Sequence, residues 1–512
     1  MLLEILGLSA AALANGRFLF HIFQLESYQL PGYFRSLRRN PTSTALPPLS
    51  VSAIGIAALV LHVPRVLCLL LALSLSVFLY LKQKNRKAKK PFVITERVKR
   101  LAAIHFIVTV ILLVPLLSFS PILAYLLPGL ECLVLALASL AAAPVEAHIA
   151  GTFVKDARNK LNSRPGLICI GITGSYGKTS TKFLLRDILS IKYRVLATPG
   201  SFNTTMGVTR VIREELMPSH QVFIAEMGAR HVGDIRELCE LVQPQIGILT
   251  SVGPQHLDTF GTVERVTETK YELIKGLPPE GTAIFARDGG ICEQLYERCP
   301  LKKKYMPGQL MDAEDISSGP WGTRFTLVDH ETGEHIFCET RLLGEYAISN
   351  LLLCATAAKQ LGMTAEEIAV GIRRCKPVEH RLQLLSGGGG ITIIDDAFNS
   401  NPKGASAALH VLRDFPGRRI IVTPGMVELG EQEAELNRAF GREMASCVDY
   451  AYLVGRRHSE PIAEGLTEAG FPESRITIVG SLAESTALLN ARMQSGDVIL
   501  YENDLPDNYS ES

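Results

Sequence analysis

The run Thr173-Gly174-Ser175-Tyr176-Gly177-Lys178-Thr179-Ser180 holds the residue types needed to grip a polyphosphate. Glycines let successive backbone N–H groups turn inward around phosphate oxygens, and a helix starting at such a turn adds partial positive charge. Lys178 has the reach to bond β- and γ-phosphates, and the Thr179 hydroxyl suits Mg2+ ligation. The strict GxxxxGK[ST] pattern is not met, because Ile172 stands where its first glycine belongs; the glycines are Gly171, Gly174 and Gly177. Two further groups suit a metal–phosphate centre. Glu226 offers a hard carboxylate oxygen, and His256, in Pro254-Gln-His-Leu-Asp, follows a later apolar run.

A strand and a helix must flank such a loop. Gly166 to Ile172 is a short apolar run of the kind found in buried parallel strands, and Phe183, Leu184, Leu185, Ile188 and Leu189 repeat at helical spacing. Further strand-like runs are Gln221–Ala225, Ile246–Thr250 and Thr282–Ala286, with helical patterns between them. This alternation predicts a doubly wound parallel sheet, with Glu226 and His256 at carboxyl ends of strands, where ligands collect. After about residue 376 the pattern restarts with Gly390–Asp396, Arg419–Pro424, Tyr450–Gly455, Ile476–Gly480 and Val498–Tyr501, a second, Rossmann-like unit. It has no phosphate loop of its own; Gly387 to Gly390 reads as a turn.

The first 150 residues are different material. Leu101–Phe119 and Pro121–Ala143 are almost unbroken apolar stretches near the length of a bilayer-crossing helix. Val51–Leu81 is apolar except at His62-Val63-Pro64-Arg65, and reads as a short hairpin turning there or as one long helix. The first 23 residues are weaker, interrupted by Glu4, Asn15, Arg17 and His21. Ala12-Leu13-Ala14 resembles a signal cleavage site, but no basic residue precedes it. Nine Lys/Arg and one Glu lie between Lys82 and Arg100, which places that loop, and everything after residue 150, on the cytoplasmic side. The expected class is therefore α/β behind N-terminal transmembrane helices: a membrane domain (1–150), a linker (151–165), a phosphate-loop ATPase domain (166–376) and a Rossmann-like domain (377–512). The chain's 52 basic and 51 acidic residues argue against a nucleic-acid-coating protein. Ten scattered cysteines with no CxxC pair argue for reduced thiols rather than a zinc site.

Taken in order, the motifs resemble the Mur ligase family. Gly171-Ile-Thr-Gly-Ser-Tyr-Gly-Lys-Thr is similar to its GxTGxxGKT loop, which departs from the strict pattern in the same way. Phe202-Asn203-Thr204, Glu226-Met-Gly, Pro254-Gln-His-Leu-Asp, Lys270, Asn350, His380-Arg381-Leu382 and Asp395-Asp396-Ala-Phe-Asn399-Ser-Asn401-Pro402 follow. The resemblance covers about residues 166 to 500 and is strongest to the branch that adds D-alanyl-D-alanine. It implies ATP and two Mg2+ ions. Gly174, Ser175, Gly177, Lys178, Thr179 and Ser180 would hold the phosphates, with Thr179 and Glu226 on one metal. His256 and a carbamylated Lys270 would serve the second. Asn350 would contact adenine, and Arg381, Asp396 and Asn399 would close from the C-terminal domain. Lys178, Lys270, His256 and Arg381 would be the catalytic set.

The implied reaction is ATP-dependent amide formation through an acyl phosphate. It would add D-Ala-D-Ala or a similar amino compound to a bacterial cell-wall precursor, at the cell membrane. Single amino-acid addition or amidation of another lipid-linked precursor or polymer is the second reading; a membrane ATPase switch or a catalytically dead scaffold is the third. Three departures stand out. Membrane segments replace the family's UDP-binding domain, which leaves the precursor UDP-linked or lipid-linked and suggests the lipid-linked one. Tyr346-Ala347 stands for a His-Asn pair, and Tyr501-Glu-Asn-Asp-Leu-Pro-Asp507 replaces a Lys-Gly-Ser segment.

Overall fold

A computed structural model describes residues 1–39, 41–84, 91–254, 257–319, 321–397, 400–427, 429–456 and 458–504. The chain divides into two compact units, Met1–Thr152 and one from Phe153 onward.

The first unit is helical. Leu2–Leu25, Arg65–Lys84, Glu96–Phe119 and Pro121–Asn162 are long and apolar enough to cross a bilayer, while Leu46–Val60 is apolar but shorter. The 51–81 region is a hairpin of two helices, broken where His62 adopts φ +56° just before Pro64. The weakly apolar N-terminus is nonetheless a 24-residue helix, because Glu4 and Asn15 are buried in the bundle rather than exposed. Large apolar side chains such as Leu70, Leu71, Ile107, Ile111, Leu133 and Leu137 face outward. The two ionisable groups of the most apolar stretches meet: His105 Nε2 lies 2.6 Å from Glu131 Oε1, both fully buried.

The second unit carries three sheets. The first runs β2-β3-β1-β4-β5-β6 and is all parallel, with β1 Ile168–Thr173, β2 Val195–Ala197, β3 Val222–Glu226, β4 Ile246–Leu249, β5 Thr282–Phe285 and β6 Lys303–Tyr305. Its central strands are buried on both faces, which explains their unbroken apolar runs. An antiparallel three-stranded sheet follows: β7 Met311–Gly319, β8 Gly322–Asp329 and β9 Glu334–Thr340. The third sheet runs β10-β11-β15-β12-β13-β14, with β10 Gln383–Gly388, β11 Ile391–Asp396, β12 Arg419–Thr423, β13 Tyr450–Val454, β14 Ile476–Val479 and β15 Val498–Glu502. Only β10 is antiparallel in it, joined to β11 by Gly388, Gly389 and Gly390 at positive φ, so the glycine run is a turn. All ten cysteines are free, and all but Cys132 are buried.

Candidate active site

Strands β3, β1 and β4 lie side by side and in parallel, so their carboxyl ends open onto one place. The loop after β1 is laced to the segment after β4. Ser175 N–H donates to Ser251 O (2.7 Å), Ser175 Oγ to Gly253 O (3.0 Å), and Tyr176 N–H to Ser251 Oγ (3.0 Å). Two glycines are required there. A Cβ on Gly174 (φ +153°) would collide with the Thr250 hydroxyl, and one on Gly177 (φ +80°) would come within 2.9 Å of Asn350 Oδ1. Gly177 opens the Lys178–Leu189 helix, so the helix N-terminus points into the loop.

Lys178 donates to the carbonyls of Gly174 (2.6 Å) and Ser175 (2.9 Å). Burial pushes its ammonium down to about 8; Glu226 opposes the shift and Arg381 adds to it. Thr179 Oγ1 donates to Glu226 Oε1 (3.1 Å), and Ser180 follows on the same helical turn. Glu226, the last residue of β3, is buried and also accepts from Asn203 Nδ2 (3.0 Å) and Lys182 Nζ (2.9 Å). A hydroxyl and a carboxylate at a polyphosphate loop are hard oxygen donors, which fit Mg2+. Lys270, on the Val263–Lys275 helix, is buried; desolvation first, then the Lys178 charge, hold its pKa well below the usual lysine range. Asn350 Oδ1 accepts from Thr181 Oγ1 (3.0 Å), so it packs beneath the loop, and the Tyr346 hydroxyl sits beside Gly177.

The third sheet adds its own charges. Arg381 is flanked by His380 (φ +58°) and Leu382 (φ +45°), two non-glycine residues in the left-handed region, a costly backbone that positions the guanidinium. Burial lowers its pKa; Asp396, Tyr346 and Glu226 oppose this, so it feels carboxylates of both sheets. Asp396 accepts from the Leu382 N–H (3.1 Å) and is raised to about 6 by burial. His380 Nδ1 lies 2.7 Å from Asp395 Oδ2. Glu502, opposite Asp396 in the β11–β15 register, is buried between the Ser400 and Thr423 hydroxyls. The expected site residues His256 and Asn399 lie outside the described residues.

The structure thus gathers Lys178, Thr179, Glu226, Lys270, Arg381 and Asp396 around one loop. Lys182, Asn203 and Glu502 were not anticipated as site groups. Lys182 sits one helical turn after Lys178, on the face that meets β3, and that spacing was the available signal.

Comparison with known proteins agrees with this geometry. Residues 172–358 match the Mur ligase middle domain and 380–501 the Mur ligase glutamate ligase domain. The chain is 32% identical over 367 residues to the UDP-N-acetylmuramoyl-tripeptide--D-alanyl-D-alanine ligase of Mycobacterium bovis, covering 65% of this chain and 70% of that protein. It is 29% identical over 343 residues to the Bacillus subtilis protein of the same name, covering 66% and 73%. Among solved structures, Thermotoga maritima MurF ligase in complex with ADP aligns at TM-score 0.62 and 26% identity, over 69% of this chain and 80% of the other.

Proposed function

Because the chain belongs to the Mur ligase family and is an ATP-dependent ligase, we propose that it joins D-alanyl-D-alanine to a muramoyl-tripeptide precursor through an acyl phosphate. The observation that carries this reading is the meeting of Lys178, Thr179 and Glu226 of the first sheet with Arg381 and Asp396 of the third. The acceptor carboxylate attacks the γ-phosphorus of ATP and ADP leaves. The amine then attacks the acyl carbon, phosphate leaves, and the amine's proton passes to solvent. Lys178 and the loop N–H groups hold the phosphates in line, and Arg381 balances the charge that develops on the transferred group. Thr179 and Glu226 would hold one Mg2+, which would neutralise phosphate charge and polarise the transferred group. Lys270, whose burial disfavours its charged form, suits carbamylation: its nitrogen would add to CO2, lose a proton and become a carboxylate-like ligand for a second ion. We assign His256 to that second site, Asn350 to the adenine side, and Asp396 and Asn399 to nucleotide contacts on closure.

The four apolar stretches support a membrane location with the ligase on the cytoplasmic side, and hence a lipid-linked acceptor in preference to a UDP-linked one. The switch, scaffold and single-residue-addition readings are not favoured, since the relatives are named as D-alanyl-D-alanine ligases. The test is ADP release by detergent-solubilised protein with Mg2+, bicarbonate and D-Ala-D-Ala, with UDP-linked and lipid-linked muramoyl-tripeptides supplied separately and products read by mass. A dipeptide mass gain on the lipid-linked acceptor alone supports the full reading. Gain on the UDP-linked acceptor alone removes the lipid specificity, and no gain on either removes the proposed reaction.

A further inference from the structure

Lys182 has no part in the reaction described above, yet it is among the largest fully buried side chains of the molecule. Its ammonium is 2.9 Å from Glu226 Oε2 and 2.5 Å from the Gly200 carbonyl, and it lies over the Phe183 ring at 4.3 Å. Glu226 is therefore divided. Oε2 is taken by a cation, while Oε1, which accepts from Thr179 and Asn203, faces the phosphate loop. Such a carboxylate has one oxygen to offer a metal and little net charge. The cations around it are Lys178 and Arg381, both close enough to influence or be influenced by Glu226. Among the described residues no group of three or more His, Cys, Asp or Glu gathers in a way that could hold a metal ion. Cations this close to Glu226 suit a polyphosphate and weaken the hold of that carboxylate on a free divalent ion.

We propose that Lys182 is a positioning residue that cancels the charge of Glu226 and fixes it for one-oxygen ligation, so that the divalent ion enters with the nucleotide rather than ahead of it. The inference rests on the reading of Lys178, Thr179 and Glu226 as a nucleotide–Mg2+ centre. Removing the ammonium frees Glu226 Oε2 and takes one positive charge from beside it, so its attraction for a metal in the absence of nucleotide rises.

The test uses full-length protein in detergent, with Mn2+ as the probe, its binding followed by electron paramagnetic resonance with and without ADP. In the wild type, ADP is expected to raise Mn2+ affinity by at least about tenfold, and by linkage Mn2+ raises ADP affinity equally. In Lys182→Met, nucleotide-free Mn2+ binding tightens and that coupling factor shrinks by about tenfold, the effect of one unit charge a few ångströms away. Lys182→Arg keeps the charge and restores the wild-type factor. An unchanged coupling in a K182M protein that unfolds cooperatively and still binds ADP overturns the proposal. Wild-type protein that binds Mn2+ as tightly without ADP as with it overturns it whether or not the variant folds. Wild-type protein that binds no ADP overturns the nucleotide reading itself, and this inference with it.

Discussion

Asp396 and Glu502 end neighbouring strands, and burial raises both carboxyls, to about 6 and about 7. At Asp396 the Arg381 charge and the Leu382 N–H oppose that shift; at Glu502 the Ser400 and Thr423 hydroxyls oppose it, and the Asp396 charge adds to it. Above about pH 6 Asp396 is ionised and balances Arg381; below it the guanidinium loses that partner. The rate of ADP formation should therefore show an acid limb near pH 6, and Asp396→Asn should be slow at every pH and lack that limb. For Glu502 the sign of the linkage is set by a folded pKa above the ordinary 4.5. The folded chain holds a proton that the unfolded chain releases, so this group's contribution to stability is present at low pH and is lost as pH rises through about 7. Glu502→Gln cannot ionise. Its stability relative to wild type should climb between pH 4.5 and 7, reaching a gain on the order of 3 kcal/mol. A wild-type–variant difference that stays flat across that range would refute the assignment.

The helices of the first unit are held by a polar pair as well as by leucines. Glu131→Ala leaves His105 buried without its carboxylate, and should lower the stability of that unit by about 3–5 kcal/mol in a detergent melt; Glu131→Gln should be milder. The central strands of the two large sheets were legible because a strand buried on both faces needs an apolar run bounded by turns. The strands missed were those without that signature. β2 and β6 have three residues each; β7, with Asp312, Glu314 and Asp315, is largely polar and half exposed; β8 and β9, which pair with it in the small sheet, mix polar with apolar residues, and β10 is mostly exposed. The phosphate loop was legible because glycine spacing and Lys178-Thr179 survive any packing. Lys182 was not, because a lysine on a helix reads as solvated until the neighbouring strand is known to end in Glu226. Nor does anything in His380-Arg381-Leu382 announce that both flanking residues take positive φ.

At the scale of the whole molecule, the ligase half carries its own hydrophobic core, which includes Ala157 and Leu161 at the end of the Glu131–Asn162 helix. Residues 153–512 alone should therefore bind ADP with a free energy within roughly 0.5 kcal/mol of the full chain, as expected for distant, independent parts. They should turn over a lipid-linked acceptor far more slowly in membranes; calorimetry and product mass check the two halves of that expectation. The order of the third sheet has a consequence in time. β15 lies between β11 and β12, pairing Thr392 with Val498 and Arg419 with the same residue. Both earlier strands leave the ribosome with a bare edge that stays unpaired until Val498–Glu502 has been made. Folding of this half is thus a late, non-local closure, exposed to self-association while it waits. Substitutions of the buried apolar residues Val498, Ile499 and Leu500 should register first as a loss of soluble yield, and only then as a loss of catalysis.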